Sequence, residues 1–375
     1  MDFGFSEEQD ELRAAVRDYL SREFPISFAR QSVESGAAFS REAWRGLCGL
    51  GWTGLAVPEE LGGSGLSLLD LTLALEEAGS VAMPGPFVST VSLAVPLLLA
   101  AANEYQCATL IPEIVSGERL VACAIAEKAG RWSGDSIQAS ARPDGAGFVL
   151  NGLKMFVPDA DAADTIVVAT RLDGGLGFFA IPSDTPGLVV SAMRTVDATR
   201  SLATVSLSEV RVADACLLGG KPLREDELDA VVDHAKVALA AQMVGAADRV
   251  LAMTVEYVEL REQFGRTIAT FQAVQHRCAD MKVAVEHARS LVYYAAWACD
   301  TLAPDRHLAA AMAKAFASDA CPSVAADAVQ LHGGIGFTWE HDLHIYFKRL
   351  KADEQTYGGA TVNRELVARL LEDAA

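Results

Sequence analysis

The chain has 375 residues, 51% of them hydrophobic, and a formal net charge of -19. That size and apolar content supply two or three packed domains and exclude a disordered chain, while so acidic a surface would be repelled by a phosphate backbone and excludes nucleic-acid binding. The cysteines are seven, an odd number, with no CxxC pair, and the seven histidines are scattered without ligand spacing; reduced core thiols of a cytoplasmic protein and no metal site are expected.

The first stretch, MDFGFSEEQDELRA, is acidic and amphipathic, which argues against a signal or transit peptide. Ser6 with Gln9 three residues on is a capping box before Leu12, Val16, Tyr19 and Leu20, so an amphipathic helix opens the chain. A second helical pattern runs through Trp44, Leu47 and Leu50. It leads to VPEELGGSGLS, where Pro58 and the glycines at 62, 63 and 65 spell a loop before a helix from Leu66 to Glu77. The run VSLAVPLLLAAA contains Pro96 and is too short to cross a bilayer, so it reads as a core helix segment and no membrane partner is expected. Helical patterning to about Gly117 completes an α domain at residues 1–119.

From Leu120 the period changes. VACAIAE, GFVLNG, TIVVAT, GFFAIP, LVVSAM and ATVSLSEV are short β-rich runs, and Asn151-Gly152 is the dipeptide of a hairpin turn. They make a β domain at residues 120–225. The remainder, 226–375, is helical at Asp226–Glu262, Phe271–Leu302, about His307–Leu331 and Thr361–Leu371. The fold class is therefore α+β.

Between the first two of those helices lies ELREQFGRTIATFQAVQHRCADM, with Gly265 and Arg266 at the break. An arginine and glutamines at the end of a helical bundle could dock a phosphate or amide, or could be the solvated turn of a capped hairpin. The spacing of Arg261, Gln263, Phe264, Gly265, Arg266, Ile268, Phe271, Gln272, Gln275, Ala279, Asp280 and Met281 resembles the C-terminal signature of the flavin-dependent acyl-CoA dehydrogenases. PEELGGSG resembles that family's PEE-x-GG-x-G segment, and QLHGGIG its Q-x-x-GG-x-G loop. The resemblance implies an N-terminal α domain, a middle β domain and a C-terminal four-helix bundle that assembles into a tetramer. It also implies that Arg261, Gln263, Phe271, Gln272, Gln330, Gly333 and Gly334 meet the adenosine and diphosphate portion of an FAD belonging to a neighbouring subunit. A guanidinium and peptide N-H donors suit a diphosphate, although glycines at 333, 334 and 336 also suit a plain helix C-cap.

The flavin-ring segments depart from the family. AIAEKAGRWSGD stands for TEP-x-AGSD with Glu127 kept, Lys128 in place of proline, and Gly134 and Asp135 further along; KMFVPDA carries Pro158 where a hydroxyl donor is expected. Two hydrogen bonds to the ring are thereby missing. The family's reaction is α,β-dehydrogenation of an acyl-CoA thioester, in which a carboxylate removes the α proton and the β hydrogen leaves as hydride to the flavin. The base usually lies in a YEGT-like turn, here Tyr357, Gly358, Gly359, Ala360; the alternative position, 26 residues before Arg261, is Ala235. Neither is an acid. Asp233 would point to the wrong side of its helix, Asp353 is less favourably placed, and Glu354, one turn before Gly358, is the remaining candidate.

The chain thus keeps what serves a neighbour's FAD and lacks what would serve its own. The expectation is a partner subunit of a heterotetrameric α2β2 acyl-CoA dehydrogenase, resembling the paired enzymes of steroid side-chain catabolism, with an electron-transfer flavoprotein as acceptor. Three alternatives stay open: a homotetramer using an acid such as Glu354, a flavin monooxygenase of the same fold, and a silent scaffold without flavin.

Overall fold

The computed structural model describes residues 4–36, 39–145 and 147–373. They fall into two compact units.

One unit draws together the chain up to Gly36, the segment Leu68–Met83 and everything from Lys236. It is helical: Glu7–Glu23, Ile26–Ser35, Leu68–Ser80, the greater part of Glu225–Leu260, then Gln272–Asp300, Arg306–His332, Leu343–Gln355 and Ala360–Asp373. Ser6 opens the first helix through the full capping box with Gln9. Asp300 caps the helix Leu68–Ser80 from far along the chain, its two carboxylate oxygens accepting the N-H groups of Leu68 (2.7 Å) and Leu69 (3.0 Å). Such orphan donors at a helix N-terminus need an acceptor, and an anion also suits the positive end of the dipole. Further along this helix Glu76 is buried with Arg13 (2.7 Å), Arg289 (2.9 Å) and the Tyr293 hydroxyl (2.5 Å) around it. The backbones approach closely here: a Cβ on Gly79 would lie 2.0 Å from the Gln242 carbonyl oxygen, and one on Gly245 only 1.8 Å from that of Glu76. Glu225–Leu260 has the length and apolarity of a membrane span, but 78% of its most apolar window is buried within the fold, so core packing accounts for its composition.

The second unit holds Ser67 and the residues before it back to 39, and Pro84–Ala235. Its centre is a seven-stranded sheet of β1 (Val121–Ala124), β2 (Ser140–Pro143), β3 (Gly147–Pro158), β4 (Thr165–Leu172), β5 (Gly175–Pro182), β6 (Leu188–Ala192) and β7 (Leu202–Ala213). The order is β1-β4-β2-β3-β7-β6 with β5 added on β4; β4 runs parallel to β1 and β2, and the β2–β3, β3–β7, β4–β5 and β6–β7 ladders are antiparallel. Val168, Phe179, Ile181, Val205 and Val210 lie at its apolar core. The run VSLAVPLLLAAA forms a buried π-helical turn, Thr90–Ala94, followed by the helix Val95–Ala101.

The four long helices expected in the closing third are present, each end within two residues of its expected place. The helix Leu343–Gln355 was not expected. Asn151-Gly152 is a correction: it is no hairpin turn but lies inside β3, where the pairing with β7 shifts register between Leu150 and Gly152. Gly152 is needed there because a Cβ would sit 2.5 Å from that of Ala139, so glycine marks a bulge with close approach of a neighbour. The chain reverses ahead of β3 instead, where the Asp144 N-H bonds the Gly147 carbonyl at 2.8 Å.

Candidate functional site

The helical unit carries the residues expected to face a diphosphate. The helix Glu225–Leu260 ends directly before Arg261, and Glu262-Gln263 pairs antiparallel with Arg266-Thr267 around a two-residue turn. Phe264 (φ 54°) and Gly265 (φ 75°) both take positive φ, the condition for so tight a hairpin. Arg261 is exposed and no ion pair among the described residues holds its guanidinium, whereas Arg266 lies over the Phe271 ring at 4.1 Å. The Gln263 amide donates to the Glu262 carbonyl at 2.7 Å. Phe271 caps the start of Gln272–Asp300, which leaves Gln272 exposed in its first turn.

Gln330, Gly333 and Gly334 lie at the other end of the sequence signature and are also exposed. Gly333 adopts φ 64°, ψ -139°, open only to glycine, and its N-H turns back to the carbonyls of Gln330 and Val329. The expectation that this N-H faces a ligand is therefore corrected. What Gly333 provides is the bend that starts the Gly333–Phe337 turn. A ring stack links this turn to the Arg261 hairpin: Tyr257, whose carbonyl accepts the Arg261 N-H at 2.9 Å, lies 4.4 Å from His332 with planes 21° apart. The two motifs thus meet at one end of one unit, with a free guanidinium beside them.

In the β unit the segments expected to face the flavin ring make other contacts. Lys154 of β3 is fully buried and donates to Glu127 at 2.8 Å and to the Ile125 carbonyl at 3.0 Å. The same Glu127 oxygen accepts the N-H groups of Gln138 and Ala139, both at 2.9 Å. Burial opposes the charge on Glu127, yet Lys154 and these peptide donors hold its carboxyl below the usual range; burial pushes Lys154 down to about 8. Gly134 is packed so closely that a Cβ would lie 2.8 Å from Cγ of Glu225, and its carbonyl accepts from Arg171 at 2.6 Å. Lys128 and Asp135 are exposed. Pro158 closes β3 opposite Leu202, and the flanking Phe156 and Asp159 both take φ 56°. Non-glycine residues in this region store strain of a kind that collects at functional sites, but Pro158 offers no donor. The diphosphate end of FAD fits the residues present; the ring end does not.

Both usual positions of the base lack an acid. Gly358 has φ 90° and Ala235 is wholly buried. Glu354 spends both carboxylate oxygens locally, on the Lys351 ammonium and on the Gln355 amide at 3.1 Å. Asp353 and Asp233 are buried in the helical and the β unit respectively. Sequence reasoning missed Lys154, Tyr257 and His332. A lone lysine in the apolar run LKMFV was a signal for the first; the stack had none, because its residues are far apart in the chain.

A helical N-terminal stretch, a mixed β sheet and a helical C-terminal region bearing an arginine hairpin and a Gly-Gly turn define a flavin-dependent oxidoreductase class. Three family profiles match in succession: the N-terminal domain of acyl-CoA dehydrogenase over residues 6–118, the middle domain over 122–212 and the C-terminal domain over 228–372. The chain belongs to the acyl-CoA dehydrogenase family, oxidoreductases whose cofactor is FAD. It is 34% identical over 367 residues to acyl-CoA dehydrogenase IpdE2 of Mycobacterium tuberculosis, covering 97% of this chain and 96% of that one. Among solved structures, the ChsE4–ChsE5 complex from Mycobacterium tuberculosis matches at TM-score 0.90 and 29% identity over 99% of each chain. Butyryl-CoA dehydrogenase from Megasphaera elsdenii matches at TM-score 0.89 and 27% identity, over 99% of this chain and 100% of its own.

Proposed function

We propose that this chain is a subunit of a heteromeric, FAD-dependent acyl-CoA dehydrogenase in which it completes the FAD site of a catalytic partner chain. The observation that carries the reading is an asymmetry: Arg261 is exposed, with no ion pair among the described residues, one turn after the Tyr257 that stacks on His332, while Gly358 and Ala235 occupy the positions where a carboxylate would take the α proton. α-Proton removal from a thioester needs a base within hydrogen-bond reach, and the nearest substitute, Glu354, is neutralised by Lys351. FAD, when bound, would supply the acceptor for the hydrogen lost from the β carbon. This chain's share is binding: the Arg261 guanidinium neutralises diphosphate charge, and the amides of Gln272 and Gln330 offer donors and acceptors. The pairing of ChsE4 with ChsE5 in a structural relative supports a two-chain assembly. An acyl-CoA is the substrate of that assembly, and an electron-transfer flavoprotein is its acceptor.

The test is expression of this chain alone and together with a neighbouring homologue of its own genome, reading flavin absorbance, mass and acyl-CoA-dependent dye reduction. Colour and turnover only on co-expression, with fewer flavins than chains, is the expected result. Yellow, active homotetramer from the lone chain would overturn it in favour of a homomeric enzyme. Colour with NADH-coupled oxygen uptake would point to a monooxygenase of the same fold, and colourless protein under every pairing to a scaffold.

A further inference from the structure

The His332 ring is buried, its Nδ1 is 2.8 Å from the Ala328 carbonyl, and its Nε2 has no hydrogen-bond partner. Nδ1 therefore carries the hydrogen and Nε2 is a bare lone pair. One face lies on Tyr257 from the helix that ends at Leu260; His341 meets it edge-on at 4.7 Å. The turn packs directly on this residue, since a Cβ on Gly336 would lie 3.1 Å from that of His332. The segment beyond is anchored in turn, with Arg30 bonding Asp342 at 3.0 Å and the Trp339 carbonyl at 2.5 Å. No other link of this kind joins the two exposed motifs among the described ring contacts.

We propose that the Tyr257–His332 stack is a positioning element that couples the Arg261 hairpin to the Gly333–Phe337 turn and uncouples them when His332 takes up a proton. The inference rests on the reading of these two motifs as faces of one diphosphate cradle. A charged imidazolium would place a second N-H where no acceptor exists, and a buried unpaired donor is costly. The charged groups around it do not relieve that cost. His341 is a second base on the ring edge, Arg30 is cationic, Asp342 is committed to Arg30, and the Arg277–Asp327 ion pair lies on and beside the same helix more than one turn back. His344 faces Trp339, over which Lys348 places another positive charge at 4.0 Å. Burial accordingly lowers the proton affinity of His332, with His341 acting in the same direction. Near neutral pH the ring is neutral and the stack closed; protonation in mild acid opens it.

Hydrogen exchange of residues 261–271 and 333–341, corrected for intrinsic rates, tests this in the assembled protein at about pH 7.5 and about pH 5.5. In the wild type both segments should exchange faster at the lower pH and together. H332F keeps a flat ring with nothing to protonate, so both segments should stay slow at both values; H332A should be fast at both, with bound flavin weakened about fivefold to tenfold. Loosening of 333–341 alone in H332A would overturn the coupling. An acid response that survives in H332F would overturn the role of His332. If H332A fails to fold, the H332F comparison decides. Should no assembly retain flavin, the proposed function fails while the exchange result still decides the coupling.

Discussion

At the scale of single residues, Gly358 and Glu127 carry opposite lessons. Replacing Gly358 by glutamate restores an acid where the family places one, yet its φ of 90° is a conformation that L side chains resist, and its Cβ would lie 3.2 Å from the Asn363 amide. Such backbone strain costs about 1–2 kcal/mol. The G358E chain should be less stable by about that amount in urea titration and should gain no acyl-CoA turnover with or without a partner; measurable turnover would show that the ring end of the site is intact. Glu127 is the counter-charge of wholly buried Lys154, whose ammonium would otherwise be stranded among β1, β3 and the 125–127 segment. E127Q should lower the unfolding free energy by about 3 kcal/mol, the low end of the range for breaking a buried pair because Glu127 keeps some solvent. The E127Q/K154M double variant should recover most of that loss in the same urea titration; no recovery would mean that the pair is not what the side chain serves.

Among the elements, the helix Leu343–Gln355 shows how far sequence patterning reaches. Its neighbours were legible because alanine, leucine and valine recur along Glu225–Leu260, Gln272–Asp300 and Arg306–His332 at helical spacing over seven or more turns. Leu343–Gln355 is short and buries Arg349 and Asp353 alongside Leu343, Ile345, Tyr346 and Leu350, so its inward face is not apolar in sequence. It is held by partners distant in the chain. The Arg349 guanidinium donates to the Met83 carbonyl at 2.7 Å, and buried Lys314 donates to the carbonyls of Asp353 (3.1 Å) and Glu354 (3.2 Å), orphan acceptors of the last turn. The Asn151-Gly152 signal misled for a related reason: local turn chemistry was overruled by a neighbouring strand that needed the space. In the site, motif spacing made Arg261 and the Gly-Gly turn legible, whereas the Lys154–Glu127 pair and the Tyr257–His332 stack arise only when separate elements meet.

Lys314 also sets a pH dependence on this element. Burial pushes it down to about 8, against the opposing pull of Asp353. An unfolded lysine keeps its proton to about 10.4. Below about 8 both states are protonated and the folded state bears the full penalty of a buried ammonium. Between about 8 and 10.4 the unfolded chain binds more protons, so this group makes stability rise with pH, by up to about 3 kcal/mol. Lys154 behaves alike and contributes its own share. Urea titrations from pH 7.5 to 10 should therefore show a smaller rise for K314M than for the wild type; equal slopes would mean that Lys314 is not the buried cation described.

For the whole molecule, the division of labour proposed for this chain predicts a count. A heteromer in which one chain supplies the diphosphate contacts and the other the flavin-ring contacts should hold about one FAD per two chains, measured by absorbance against quantitative mass analysis. An R261A substitution in this chain should lower that occupancy without changing the assembly's mass, because Arg261 is exposed and no ion pair among the described residues holds its guanidinium. A full complement of one flavin per chain would contradict the asymmetry.

The Asp300 cap reaches further than its two hydrogen bonds. It joins the start of Leu68–Ser80 to a residue more than two hundred positions later, and Glu76 in that helix neutralises Arg289 of the same late helix. Genes that break this protein into consecutive sequence blocks would give an early block with a naked helix start and a Glu76 that has lost Arg289 and Tyr293 and keeps only Arg13. Separately translated halves are therefore expected to be insoluble apart and to recover only when mixed, and a transposon insertion between residues 83 and 236 would be tolerated only where it leaves both parts free to find each other.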